Sequence, residues 1–343
     1  MRIISMYGYK QGSGGIESLL KSQRGLDFHE ISSNDPHDTD EGAEDMYNQF
    51  WQSLPADLLH IHSPNTFAGY VLANEAREAN IPSIATFHYG GFTNWPEYAD
   101  NEALAKDTLA CVDHIICVSE AGKKSLPYNN STVIYNGIDP EQFIPAKKEN
   151  EQFSIIYPAK ICMMKGQKDF IKLAQYLREE QADFRMDLIG KVADNQYASE
   201  LQEEINKKGL SKYINILPPV PIDDMNKTYT NHDLLIFPGR LEGLGLISLE
   251  AQACELPVIA YDAGGIKETI IEGETGFCVS TQDIYGLFEK TMELYKDPDK
   301  RAFMGKKARQ NVIENFSLDQ MLEKQKQLYQ HVVDSYCKSL GSV

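Results

Sequence analysis

At 343 residues with a formal net charge of −17, the chain is too long for one ordinary domain and fits two of typical size, each with its own core. The acidic excess excludes nucleic acid as a partner, because binding it needs a basic surface that displaces counterions, and it disfavours anionic membrane surfaces. No apolar run is long enough to span a bilayer, and the six cysteines form no Cys-x-x-Cys pair and fall largely in apolar runs, so a reduced, cytoplasmic protein with at most weak membrane association is expected.

Residues 1–7 concentrate apolar side chains as a first strand does, and they start directly, without the h-region of a signal peptide. Gly8 to Gly15 is a flexible loop before a helix that begins near Ile16, an arrangement suited to phosphate. Gly12 and Gly14 suggest the dinucleotide fingerprint G-x-G-x-x-G, but its third glycine position falls on Glu17, whose bulk spoils close helix packing. Residues 21–56 are short and polar, with one strand near Leu26 to Ile31. Within them the cluster Asp35, Asp38, Asp40, Glu41, Glu44 and Asp45 reads as a solvated loop and helix start. Residues 1–139 hold 8 Lys and Arg against 19 Asp and Glu, so the first half carries net −11 of the −17.

Asp57 to Ser63 and Ile81 to Phe87 are strands separated by the helical pattern Phe67 to Asn80, a parallel β-α-β unit. Both end in histidine: His60 and His62 alternate on one face of the first, and His88 follows the second. Three such histidines suggest a metal site, yet no further ligand cluster with suitable spacing follows, so His60 and His62 are expected to be structural. Ala110 to Glu120 predicts another strand, and Asn136-Gly137 a turn. Pro140 to Gln152, polar with two prolines, is the expected linker.

The second half opens with the strand Phe153 to Pro158, a loop carrying Lys160 and Lys165 before Gly166, and a helix from Asp169. Met186 to Ile189 is a strand with Gly190-Lys191 as its exit turn, and residues 199–208 form a polar helix. Leu234 to Phe237 then reads as a buried strand, Pro238 to Gly245 as a loop and Leu246 to Cys254 as a helix, which puts Glu242 on the loop and Glu250 inside the helix. A strand feeding such a loop and helix leaves unpaired N–H groups and the positive end of the helix dipole at the strand ends, where phosphate binds. Gly243 and Gly245 let the backbone approach a ligand, and two carboxylates beside an anion site suit a ligand rich in hydroxyls. A sugar nucleotide has both halves. Pro257 to Tyr261, the turn Asp262 to Gly265 and a helix over Ile266 to Glu272 repeat the logic, and amphipathic helices follow over Asp283 to Tyr295 and Lys300 to Asn315. Ser317 caps a last helix reaching about Cys337.

These residues resemble the signature of the family 4 retaining glycosyltransferases. Glu242 and Glu250 match its Glu-x7-Glu motif with Gly264-Gly265 in register, and Gly14-Gly15-Ile16-Glu17 is similar to its Gly-Gly-x-Glu loop. Thr86-Phe87-His88 is similar to its Thr-x-His-Gly-like turn, and Asn136 to Asp139 to its Asn-Gly-Val-Asp signature. The loop from Ala159 to Gly166 is similar to its Gly-Arg-x4-Lys-Gly segment, with Lys160 in place of arginine, which supplies charge without the bidentate fork. The likeness covers nearly the whole chain, dense over 130–280 and thin over 21–56.

The resemblance implies an α/β, GT-B fold of two Rossmann-like parallel-sheet lobes facing each other across a cleft. It implies an acceptor-side lobe over 1–145, a nucleotide-sugar lobe over 146–316 and a helix over 317–343 returning toward the first. It also implies roles. Lys160 and Lys165 hold the donor diphosphate, Gly14 and Gly15 close over the donor, Gly190 lines the base pocket, and Gly243, Leu244, Gly245 and Leu246 frame the donor. Glu250 takes the ribose hydroxyls, Glu242 sits near the transferred hexose and His88 contacts donor sugar or acceptor, so that His88, Glu242 and Lys165 are the catalytic candidates. The expected activity is retaining transfer of a hexose from a nucleoside diphosphate sugar, UDP-glucose or UDP-GlcNAc in type, to a sugar or glycan acceptor. A sugar-nucleotide epimerase and a non-catalytic sugar-nucleotide-binding protein are the alternatives. No metal is expected: Asp38-Thr39-Asp40 and Asp297-Pro298-Asp299 imitate the Asp-x-Asp of metal-dependent transferases, but both lie in polar segments and should be solvated.

Overall fold

The computed structural model describes residues 1–9, 27–33, 40–91, 99–149 and 151–341, and the chain divides into two units, Met1–Asn136 with Asp319–Val343, and Gly137–Leu318. The loop with Gly14, Gly15 and Glu17, and Asp35 and Asp38 of the acidic cluster, lie outside the described residues.

In the first unit, β1 (Arg2–Tyr9), β2 (Asp27–Ser33), β3 (Leu58–Ile61), β4 (Ser83–Phe87), β5 (His114–Cys117) and β6 (Ser131–Val133) form one sheet in the order β2-β1-β3-β4-β5-β6. Every pairing is parallel. β3 and β4 are buried at every residue, as central parallel strands covered on both faces must be. The helices are α1 (Asp40–Gln52), α2 (Phe67–Glu78), α3 (Ala99–Cys111) and α4 (Glu120–Ser125). The acidic cluster continues into α1, which turns Ala43, Met46 and Phe50 into the core and leaves Glu41, Glu44 and Asp45 in water. Ala110 to Glu120 is not one strand. α3 runs to Cys111, Asp113 is spent on the Ser83 amide at 2.8 Å, and Ser119 caps α4 by accepting from the Gly122 amide at 3.0 Å. The C-terminal helix, Leu318–Leu340, belongs to this unit from Asp319 on, and its fully buried Tyr329 reaches His60.

In the second unit, β7 (Phe153–Pro158), β8 (Phe184–Ile189), β9 (Ile214–Leu217), β10 (Leu234–Phe237), β11 (Val258–Tyr261) and β12 (Gly276–Val279) run in the order β12-β11-β10-β7-β8-β9, again all parallel. The helices are α5 (Asp169–Glu179), α6 (Asn195–Lys207), α7 (Ile222–Thr230), α8 (Leu246–Ala253), α9 (Ile284–Lys296) and α10 (Pro298–Asn315). The four side chains of β10 are all buried, each worth about 1.5–3 kcal/mol of transfer free energy. Strand order reverses between β7 and β10, and in doubly wound sheets ligands bind outside the carboxyl ends of the strands at that switch point. The loops that carry Lys160, Lys165 and Glu242 leave these two strands. The expected helix over Ile266 to Glu272 is only a short 3-10 turn, Ile266–Thr269, because the backbone is already extended at Ile270 (φ −118°, ψ 127°) and the chain turns at Gly273.

The division between the units falls at Asn136/Gly137, earlier than residue 145, and residues 140–149 are built into the second unit rather than serving as a free linker. Phe143 is buried and the Ile144 amide donates to Asn226 Oδ1 at 2.8 Å. Lys148 pairs with Asp233, and the Arg309 guanidinium donates to the carbonyls of Phe143 and Pro140. Polarity marked this segment as a linker, but its charges and amides are taken up by helices and a loop of the second unit.

Candidate functional site

At the switch point of the second unit, the loop after β7 and the loop after β10 lie against each other. Gly166 has φ +71°, and a Cβ there would lie 2.2 Å from the Pro238 carbonyl oxygen, so glycine is what lets the two loops close. The Arg240 amide donates to the Met164 carbonyl at 3.2 Å, a second tie between them. This contact brings Lys165 Nζ to 2.8 Å from Glu242 Oε2, an ion pair whose side chains are 29% and 23% exposed. The Glu242 carbonyl in turn accepts from the Gly265 amide at 2.9 Å, which fastens the loop to the Gly264-Gly265 turn.

Gly243, Leu244 and Gly245 are buried, and Gly245, at φ +88°, starts α8 with no side-chain cap. A Cβ on Gly245 would meet Ile266 at 2.5 Å. Leu246 is the first residue of that helix, and the Ser248 amide in its first turn donates to the Gly245 carbonyl at 2.9 Å. Lys160 is exposed, and its carbonyl accepts from Gln167 Nε2 at 2.8 Å. Gly190 lies against Ala159, where the exits of β7 and β8 are joined by the Ile161 amide donating to the Lys191 carbonyl at 2.9 Å. Glu250 sits one helical stretch further in, half-buried, and accepts from the Tyr229 hydroxyl at 2.7 Å. Burial pushes its carboxyl above the usual range, and the Tyr229 hydroxyl pulls it back.

In the first unit the three histidines cluster at the carboxyl ends of β3 and β4. His60 is fully buried and satisfied: Nδ1 lies 2.7 Å from the Tyr329 hydroxyl and Nε2 2.7 Å from Thr86 Oγ1. His62, 5% exposed, is packed between Tyr7, with centroids 4.9 Å apart and rings stacked, and His60 at 3.8 Å. Among the described residues neither of its ring nitrogens has a hydrogen-bond partner, and the same holds for His88, 6.1 Å away. Burial lowers His60 to about 3 and His88 to about 4, so all three rings are neutral at physiological pH, His62 being lowered as well by burial and by its two neighbours. His60 is thus structural in the ordinary sense, whereas His62 is not a satisfied core histidine.

Among the described residues no group of three or more His, Cys, Asp or Glu could hold a metal. Asp297 caps α10 by accepting from the Lys300 amide at 2.9 Å. Sequence reading missed Tyr229 and Arg240. Arg240 stood in the same loop as Glu242 and was open to notice; its guanidinium lies 3.9 Å from the buried Asp169. Tyr229 gave no local signal, because its partner lies across a strand and a loop.

The sequence model described as "Glycosyl transferases group 1" matches residues 139–311, half of the chain, and that described as "Glycosyltransferase Family 4" matches residues 45–142. The chain belongs to the group 1, family 4 glycosyltransferases. This glycosyltransferase is 26% identical over 365 residues to an uncharacterized glycosyltransferase of Methanocaldococcus jannaschii, covering 97% of this chain and 99% of that one. It is 30% identical over 278 residues to a GDP-mannose-dependent monoacylated alpha-(1-6)-phosphatidylinositol monomannoside mannosyltransferase of Corynebacterium glutamicum, covering 74% and 71% of the two chains. The structure of Anabaena HepE in complex with UDP-glucose is similar over 100% of both chains, with a TM-score of 0.78 at 18% identity, which shows the shared GT-B fold. Among the described residues no helix of the glycosyltransferase is long and apolar enough to cross a membrane.

Proposed function

We propose that this glycosyltransferase moves a hexose from a UDP-linked donor, UDP-glucose or UDP-GlcNAc in type, to a sugar or glycan acceptor with retention of configuration and without a metal, in the cytoplasm. The observation that carries the reading is the Lys165–Glu242 ion pair beside the uncapped start of α8 at the sheet's switch point. In the transfer step the bond from the anomeric carbon to the diphosphate oxygen breaks and negative charge builds on the leaving diphosphate. Lys165, Lys160 and the first amides of α8 are groups of the right sign to meet that charge, and such fixed electrostatics is the largest usual contribution to a rate. A diphosphate that captures the Lys165 ammonium releases the Glu242 carboxylate toward the hexose. Glu250, one oxygen held by Tyr229, keeps the other as an acceptor for a ribose hydroxyl. His88, neutral, has a ring nitrogen able to accept from a sugar hydroxyl.

The uridine base rests on HepE, whose structure contains UDP-glucose, and the mannosyltransferase relative makes GDP-mannose the control. A thermal-shift panel of UDP-, GDP- and ADP-sugars tests the donor, since a ligand bound only by the folded state raises its stability by RT ln(1 + [L]/Kd). UDP-glucose or UDP-GlcNAc should give the largest shift, and a GDP-sugar outranking both overturns the base. Anomeric configuration of the product by NMR tests retention. Sugar conversion without acceptor would move the protein to the epimerases.

A further inference from the structure

Glu250 is a carboxylate that the fold has left without a cation. Among the described residues it has no salt bridge, and its carboxylate has one hydrogen-bond donor, the Tyr229 hydroxyl at 2.7 Å. Tyr229 is fully buried on α7, and its ring is held edge-on by Phe143, with centroids 6.1 Å apart and planes at 66°. Among the described residues the phenol has no second acceptor, so its proton goes to Glu250 Oε2 and the carboxylate is oriented by a group packed into the core. We propose that Tyr229 is the positioning residue for Glu250 in donor binding: it fixes Oε2 and presents Oε1 as the acceptor for the ribose hydroxyls.

This rests on the reading that Glu250 meets the ribose. The groups around the carboxylate are few. Tyr229 faces it from α7, and its own proton is retained because burial, then the neighbouring carboxylate, drives the phenol well above its ordinary value. Cys254, the residue that ends α8, is a thiol pushed up to about 12 by burial and by Glu250. Arg309 on α10 acts on Cys254, but its guanidinium is spent on the carbonyls of Ala253 and Phe143 at 2.5 and 2.6 Å. With no cation to hold the charge, the Tyr229 hydrogen bond is what opposes the desolvation of Glu250. Removing it should leave the carboxyl easier to protonate.

The test is Tyr229→Phe, which keeps the ring and its packing. Calorimetric titration with UDP and with 2′,3′-dideoxy-UDP, from pH 5 to 8, is run on the wild type, Tyr229→Phe, Glu250→Gln and the double variant. The wild type should prefer UDP. Tyr229→Phe should lose about tenfold in UDP affinity at neutral pH, the size expected for a hydrogen bond to a charged group, and hardly any for the dideoxy compound. Its affinity should also fall off at higher pH than that of the wild type on acidification, and the double variant should match Glu250→Gln. A wild type that binds both nucleotides equally overturns the ribose reading itself. A wild type that prefers UDP while Tyr229→Phe keeps the same preference and pH profile, or weakens both nucleotides alike, leaves Tyr229 as packing only and overturns the inference.

Discussion

Acidification from pH 7 to 5 should destabilise the first unit by way of the histidine cluster. His60 and His88 are held at about 3 and about 4 in the folded chain, against 6.5 when exposed. A histidine depressed in this way favours folding fully above pH 6.5; as the pH falls through that value, the unfolded chain takes up a proton the native ring refuses, and stability drains until about pH 4 for His88 and about pH 3 for His60. At pH 5 the loss for a fully shielded ring is RT ln(1 + 10^1.5), about 2 kcal/mol, and the two rings together lose about 3–4 kcal/mol, with His88 the less shielded. The steepest slope from these two rings is about 2.7 kcal/mol per pH unit, and His62 and His114, whose rings burial also lowers, add to it. Most carboxylates titrate below this window. Both tryptophans, Trp51 and Trp95, precede Gly137 in the sequence, so urea unfolding followed by tryptophan fluorescence reports on that part of the chain. Wild type should lose stability steeply between pH 6.5 and 5, and His88→Asn should remove about one proton from the slope. A stability that is flat across this range would show that the rings are protonated in the native state and would refute the argument.

Glu242→Gln should retain UDP affinity or raise it several-fold, because the Lys165 ammonium is released to the diphosphate, while transfer falls by about a hundredfold; Glu250→Gln should instead weaken UDP, and equal loss of UDP affinity in both removes the division between the glutamates. Transfer should continue in excess EDTA, since Asp297 is occupied as a helix cap, and complete loss restored by Mn²⁺ or Mg²⁺ would refute metal independence. The net −11 of residues 1–139 predicts no co-sedimentation with phosphatidylglycerol vesicles at low salt, where exposed charge acts beyond the roughly 8 Å reach it has at physiological ionic strength; binding that fades as salt rises would reveal a basic patch and favour an anionic acceptor.

The second unit was the more legible. β10 lies where its apolar run put it, and α8 starts at Leu246, because a glycine-rich loop between a buried strand and a helix leaves little choice of boundary. α3 escaped because its apolar positions form hardly any stripe, and α7 because its stripe spans only nine residues in a polar stretch. Residues 140–149 failed in the opposite sense. They have a linker's composition, but Arg309, some 166 residues from Phe143, claims their carbonyls.

The site follows the same rule. Everything that depends on spacing along the chain was readable: a loop lysine before a glycine, a glutamate on a loop, another in the following helix. What joins them was not. Lys165 and Glu242 are 77 residues apart and meet because β7 and β10 are neighbours at the point where strand order reverses, a fact of topology rather than of pattern. His60 and His62 make the point most sharply. They share a strand and a face, and composition gives no reason to treat them differently. Tyr329, 269 residues away on the C-terminal helix, completes the hydrogen bonding of His60, and among the described residues nothing does so for His62. The polar group that ends without a partner, rather than the motif that announces itself, is where a sequence of this kind still has chemistry to yield.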